Sequence, residues 1–389
     1  MEVAAPVAVV GAGTAGSIVA RALASRCRRE IVVFEPGGPT DDDNPRFMDQ
    51  LGEATLWEDL PGPQARALGG GSAVNGMILS GEEPVWLRGL TRFARAGEEG
   101  SVGRELLAMG GRHSRLWWHS GRWNPARAML HVEEEGRISI IRSSVERIES
   151  RGDRTFVVLD SGGAVECSHV VLCAGALVTP RILLRSGIGS RVGTGLQNHP
   201  TVTFTRRRAD DDTGLFDACV VLELLENGGK GLAVAYERMS GSIFGTGMFT
   251  VSLMNPVSRG TVDLEKVDFR LLGEQTDMRR MAAVVRRFLG SAVRAGIHDL
   301  VDAAGADAQA VLGMDDAEMG TWLESMVQPV SHATSTCAFS TDSLGRIPGR
   351  PDVSVADASV LRGVPQETPA ASVTIEARRN ALALGEVLS

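Results

Sequence analysis

The sequence predicts an α/β protein in which a Rossmann-like, dinucleotide-binding domain is joined to a smaller α+β domain on an antiparallel sheet. Two observations lead there. The N-terminus runs strand, glycine-rich turn, helix, strand, acid. Residues 215–272 carry alternating β-type runs and are followed by an apolar stripe at helical spacing.

The first strand is Val7-Ala8-Val9-Val10, short, apolar and β-branched, as a buried parallel strand should be. It enters Gly11-Ala12-Gly13-Thr14-Ala15-Gly16, after which Ser17 to Ala24 is rich in helix formers. Gly11 permits the sharp turn, Gly13 lets backbone approach a pyrophosphate, and Gly16 allows close packing of helix on strand. The phosphate belongs at the helix N-terminus, where free N–H groups and the helix dipole favour an anion. The second strand, Ile31-Val32-Val33-Phe34, ends at Glu35, about 20 residues on, where a carboxylate accepts hydrogen bonds from a ribose diol. That carboxylate disfavours a 2′-phosphate and so NADP. The motif alone does not separate FAD from NAD.

Further along, Arg66-Ala67-Leu68-Gly69-Gly70-Gly71-Ser72-Ala73-Val74-Asn75-Gly76-Met77 resembles the first signature of the glucose–methanol–choline (GMC) oxidoreductases, and residues 175–189 resemble the second. The run Val170-Val171-Leu172-Cys173-Ala174-Gly175 resembles the strand that closes the FAD fold. Gly195-Leu196-Gln197-Asn198-His199-Pro200, Asn255-Pro256-Val257-Ser258-Arg259-Gly260-Thr261-Val262 and Val353-Ser354-Val355-Ala356-Asp357-Ala358-Ser359 resemble three further family segments, all in order. The resemblance implies FAD in a Rossmann-like, glutathione-reductase-type domain. It implies cofactor contacts from Gly11, Gly13, Thr14, Ala15, Gly16 and Glu35, from Arg66, Gly70, Gly71, Ser72, Asn75, Gly76 and Met77, and from Val145, Ala174, Gly175, Asp357, Ala358 and Pro369. The glycines at 69–71 let backbone approach a flavin ring because no Cβ intervenes. Asn75 has both donor and acceptor capacity for a ring edge rich in amide groups. Asp357 reads either as a backbone contact to FAD or as an N-cap. Members with covalent flavin carry histidine just before the motif's asparagine; Val74 stands there, so the FAD is expected to be non-covalent.

The resemblance also implies alcohol oxidation by hydride transfer to flavin N5, with a base taking the hydroxyl proton. Histidine suits that task because its pKa lies near working pH. Ser331-His332-Ala333-Thr334-Ser335-Thr336-Cys337 is similar to the family's histidine segment and gives His332 the base position. Of the other histidines, His113, His119, His131 and His169 fall outside matching motifs, and His199 reads as structural. The family usually has glycine at Ser335 and methionine at Phe339. Its second catalytic position, histidine or asparagine, falls here at Thr368 beside Glu367; threonine is a poor base, and glutamate serves only if burial raises its pKa. Leu361-Arg362-Gly363 and Pro369-Ala370-Ala371-Ser372-Val373 resemble mycofactocin-associated members, thought to pass electrons from the reduced redox peptide toward respiration. A small-molecule alcohol or a redox cofactor is therefore the expected substrate, with the electron acceptor open. A flavoprotein lyase and a degenerate, non-catalytic flavin binder are the alternatives.

Composition narrows the class. The 389 residues carry a formal net charge of -8, which argues against a nucleic-acid partner. The five cysteines are scattered, with no CxxC or Cys/His cluster, so no metal site is expected and a cytoplasmic location fits. No apolar stretch reaches the roughly 20 residues that span a bilayer. The expected organisation is a discontinuous FAD domain of residues 1–80, 121–205 and 330–389, a short insert 81–120, and a substrate domain 206–329. In the latter, Met281, Val284, Val285, Phe288 and Ala292 mark a helix packed on the sheet, with Asp277 as its N-cap. Asp41–Asp43 and Arg206–Asp212 read as solvated loops, and Trp117 and Trp118 either line a substrate entrance or pack the insert.

Overall fold

Two sheets organise the chain in the computed structural model, which describes residues 5–46, 56–57, 60, 64–134, 136–206, 214–237 and 247–388. The first contains, in spatial order, Arg346–Ile347, Arg350–Val355, His169–Leu172, Val7–Val10, Ile31–Phe34 and Ile138–Ile141, all parallel except the antiparallel edge pair. Alternate residues of Val7–Val10 enter different cores. Val7 and Val9 pack under the helices Thr14–Ala24, Pro125–Glu134 and Ala370–Leu388. Ala8 and Val10 pack against a three-stranded antiparallel sheet of Val145–Arg151, Arg154–Leu159 and Ala164–Cys167. Burial on both faces is why this strand reads as an unbroken apolar run. The result is the expected Rossmann-like layering, helices on one face and a small sheet on the other.

The second sheet runs Leu300–Val301, Pro200–Arg206, Met248–Leu253, Gly229–Tyr236, Val220–Glu226 and Arg112–His113, with Gln328–Pro329 also pairing to the second of these. Every pairing in it is antiparallel. The helix Gln275–Arg294 lays Met281, Val284, Val285, Phe288 and Ala292, all fully buried, into the core over this sheet. The cap differs from expectation. Glu274 is the N-cap, and Asp277 lies inside the first turn, where its buried carboxylate accepts hydrogen bonds from Val257 N (2.9 Å) and Ser258 N (2.6 Å). A carboxylate in the first turn is still favoured by the helix dipole, and here it also ties the preceding loop to the helix.

The expected domain limits shift for a physical reason. Pro200–Arg206 belongs to the second sheet, and residues 81–120 contribute Arg112–His113 to its edge. Val102 and Leu106 of the helix Ser101–Ala108 enter the same core as Phe249, because an insert this short has no core of its own. Trp117 is buried and stacks on Trp123 with centroids 4.6 Å apart, and Trp118 meets Phe216 edge-on, so both pack the insert. Arg206 is not solvated. It is buried, paired with Glu105, and 2.9 Å from Asp299; residues 207–212 of that run lie outside the described residues. Asp42 is likewise engaged, by Arg127 Nε at 2.9 Å. All five cysteines are buried and unpaired with one another. Among the described residues no helix is long and apolar enough to cross a membrane, and no cluster of metal-ligating side chains occurs.

Candidate active site

The nucleotide turn forms where strand Val7–Val10 ends. Gly11 has φ +97°, and a Cβ there would sit 2.7 Å from Cys173 O. Gly16 packs against Gly11 O more closely still. The helix that follows has Gly13 as N-cap and no side-chain cap, so Thr14, Ala15 and Gly16 present first-turn N–H groups without a side chain in front of them. Opposite lies the glycine-rich segment of the first signature. Gly13 and Gly69 form a parallel bridge, Gly69 N donates to Ala12 O (2.8 Å), and a Cβ on Gly70 (φ +52°) would come within 2.9 Å of Gly13 Cα. In contrast, a Cβ on Gly13 would meet nothing closer than Gly70 Cα at 3.8 Å, and one on Gly71 or Gly175 nothing within 4 Å. The cradle is tight at its base and open at its front. That shape fits the diphosphate and ring of a dinucleotide.

Of the remaining expected cofactor residues, some adjoin this cradle and others lie apart from it. Glu35 is buried at the end of its strand and accepts from Ala12 N (2.9 Å) and Gly37 N (2.8 Å). Burial pushes its carboxyl above the usual range, while those two N–H groups, Arg142 and Arg66 hold it back. Arg66 lies along Gly37, stacks on Trp57 (5.2 Å to the centroid) and keeps a buried Nε without a partner. Ser72 Oγ donates to Gly69 O (2.6 Å), and Asn75, the C-cap of the short helix Gly71–Val74, accepts from Met77 N at Oδ1 (3.0 Å). Gly76 and Met77 (φ +59°) carry the chain on to Ile78. Val145 is buried in the core beneath the parallel sheet. On the other side, Asp357 joins two segments: Oδ2 accepts from Gly175 N (2.8 Å) and Thr179 Oγ1 (2.6 Å), and Oδ1 caps Ser359 N (2.8 Å). The side chain is thus an N-cap and a cross-link to the Ala174–Gly175 turn, with Ala358 starting the 3₁₀ turn that follows. Pro369 O accepts from Val373 N in the first turn of the C-terminal helix.

The histidine segment crosses from one sheet to the other. Gln328–Pro329 pairs with the start of Pro200–Arg206, and Thr334 and Gln197 exchange backbone hydrogen bonds. Ser335 N donates to Ala358 O (3.1 Å) and Cys337 N to Ser359 O (2.8 Å), which fastens the segment to the nucleotide side. Between these anchors stands His332, and its Nδ1 lies 2.9 Å from Nδ1 of His199, the rings at 89°. His199 Nε2 is 2.9 Å from Pro365 O. A carbonyl only accepts, so His199 Nε2 carries the hydrogen, and a neutral His199 then has its lone pair on Nδ1. His332 Nδ1 must therefore carry the hydrogen between them, which leaves the lone pair of His332 on Nε2. Burial holds His199 down at about 4, and it holds His332 well below the usual histidine value, with the neighbouring His199 adding to the effect.

His199 is thus part of the constellation, a role the motif reading assigned to structure alone. Thr368 and Glu367 stand elsewhere. Thr368 Oγ1 donates to Ile78 O (2.9 Å) and accepts from Ser80 N (3.2 Å); Glu367 packs over Gly81 and accepts from Ser372 Oγ at 3.4 Å. Neither hydrogen-bonds to His332.

Comparison with known proteins matches the geometry. Residues 117–201 match the model of the N-terminal part of the GMC oxidoreductases and residues 256–377 that of the C-terminal part, together more than half the chain. The chain is 24% identical to the 5-(hydroxymethyl)furfural oxidase of Methylovorus sp. (strain MP688), over 92% of this chain and 94% of that one. It is 25% identical to an uncharacterized GMC-type oxidoreductase of Rhodococcus erythropolis, over 70% of this chain and 61% of the relative, so it spans less than two thirds of that protein's length. Pyridoxine 4-oxidase from Mesorbium loti superposes with TM-score 0.79 at 18% identity, covering 98% of each chain. A fungal aryl-alcohol oxidase superposes with TM-score 0.73 at 14% identity, covering 100% of each. At such identities the two structures bear on the fold.

Proposed function

Because the chain belongs to the GMC oxidoreductase family, whose cofactor is FAD, we propose that it oxidises an alcohol, with His332 accepting the hydroxyl proton as the carbon gives up a hydride. Bound FAD supplies the hydride acceptor. The observation that carries the reading is the 2.9 Å contact between the two Nδ1 atoms of His332 and His199. It gives His332 one tautomer, with Nε2 as the proton acceptor, and fixes the plane of the ring. The depressed pKa keeps the ring neutral and able to accept a proton at physiological pH, at the expense of the driving force for taking it. His199 acts through His332 and is a positioning residue. The Thr368 hydroxyl holds the C-terminal segment on Ile78–Ser80, and Glu367 is outside the proton path. The first turn of Thr14–Ala24 would hold the pyrophosphate, and the FAD would be held non-covalently, since Val74 offers no nucleophile before Asn75.

Relatives named for hydroxymethylfurfural, pyridoxine and aryl-alcohol oxidation support an alcohol donor. The likeness of Leu361–Gly363 and Pro369–Val373 to mycofactocin-associated members adds the reduced redox peptide to the donors worth testing. An external electron acceptor, O2 or a carrier, closes the cycle. The test is anaerobic addition of hydroxymethyl-arene alcohols, aliphatic alcohols and reduced mycofactocin to the purified protein. Bleaching of the flavin band with formation of one carbonyl per flavin is expected for one donor class. A flavin that dithionite bleaches and no donor in the panel does would count against the reading.

A further inference from the structure

Arg122 is fully buried just before the helix Pro125–Glu134, and its backbone N donates to Asp42 O at 2.7 Å. Its Nη1 donates to the backbone carbonyl of Asn75 and lies 3.2 Å from Asn75 Oδ1. The same Oδ1 accepts from Met77 N. Both neighbours of the carboxamide are donors, so the oxygen must face them, and Nδ2 is left as the group that points away. The free hydrogen-bonding group of Asn75 is therefore a donor, Nδ2.

The guanidinium itself is incompletely matched. Nε and Nη2 are buried and have no hydrogen-bond partner. An unmet buried donor is destabilising, and more so on a charged group. Asp42 and Asp217 act on Arg122 through space, yet the Asp42 carboxylate is engaged by Arg127, Asn124 and Thr40. Burial lowers the guanidinium to about 10, which leaves it a cation at neutral pH. A purely structural arginine would have its donors taken up by carboxylates or carbonyls. This one has a hold on a signature residue and a charge without a directly bonded anion.

We propose that Arg122 is a positioning residue for the flavin: it locks Asn75 with Nδ2 toward the cofactor and sets a buried positive charge beside it. The inference rests on FAD being bound. A positive charge next to an oxidised flavin favours electron uptake, because the ring gains negative charge on reduction. The test is the midpoint potential of the bound flavin, together with the affinity for sulfite, which adds reversibly to oxidised flavin and binds more tightly where positive charge is near. Arg122→Met should retain FAD at a lower potential and bind sulfite at least tenfold more weakly; Arg122→Lys, which keeps the charge, should recover most of the sulfite affinity. Wild-type potential and sulfite affinity in Arg122→Met would overturn the proposal. If Arg122→Met fails to fold, Asn75→Asp decides: it keeps the shape, exchanges the Nδ2 donor for an acceptor, and should also lower both quantities, whereas unchanged values would overturn the inference. A wild-type protein without flavin would instead remove the premise.

Discussion

Ser335 has φ +74° in the segment that carries His332, at a position where the resembling family has glycine. It is fully buried, and its hydroxyl meets Thr334 Oγ1 at 3.0 Å. Holding a side chain in this region costs about 1–2 kcal/mol. Ser335→Gly should therefore raise the thermal midpoint, while Ser335→Ala, which keeps the strain and loses the hydroxyl, should lower it; a glycine variant less stable than the alanine one would contradict the assignment. His169 gives a prediction in pH. It is buried against Ser354 Oγ (3.0 Å), and burial lowers it from 6.5 to about 4. The folded state favours the neutral ring, so its contribution is present above about pH 6.5 and is lost as pH falls toward 4 while the unfolded chain takes up the proton. A difference of that size corresponds to about 3 kcal/mol. The unfolding free energy of His169→Gln, followed by urea titration across that window, should fall less steeply than that of the wild type. A parallel fall would show that His169 ionises normally in the fold. At this scale the motif drew attention to His332, and the proposal keeps it as the base. The sequence hid His199, because the pairing spans 133 residues and exists only once both loops are placed.

Among the elements, the glycine turn was the most legible, since Gly11 and Gly16 each answer a separate steric demand and Gly13 leaves the front of the cradle open. Gly13→Ala puts this to the test. The added Cβ stays 3.8 Å from Gly70 Cα, so the protein should fold normally. The methyl would nonetheless stand in the open front of the cradle and weaken FAD binding at least tenfold by fluorescence titration. Unchanged FAD affinity would mean the diphosphate lies elsewhere. The helix Gln275–Arg294 was legible from its stripe, and Phe288→Ala, at the fully buried centre where Phe204 and Phe249 meet it, should cost about 3–5 kcal/mol. A loss under 1 kcal/mol in chemical denaturation would show that the helix packs loosely. Its cap was misread because Asp277 is a preferred capping residue by type, while the loop it ties down, Val257–Ser258, is distant in sequence. The edge strand Arg112–His113 within the insert 81–120 was not legible because a two-residue strand leaves no periodic signal.

Across the whole molecule, the two sheets meet at the strap Gln328–Cys337, whose first residues pair with one sheet and whose last ones bond to the Ala358–Ser359 turn beside the other. This explains why the order of signatures was readable while the partner of His332 was not. The cofactor half is built from local turns, each with its own sequence rule. The histidine pair is assembled by tertiary contact between the Gly195–Pro200 loop, the strap and the segment around Pro365. The proposed proton acceptor lies in that junction. The measurement that tests it most directly is the anaerobic rate of flavin reduction by the best donor in wild type and in His332→Ala, with FAD content measured on the same samples. General-base loss predicts a rate about 10²–10⁴-fold lower at undiminished FAD content; an equal rate in the two proteins would contradict it and place the base elsewhere.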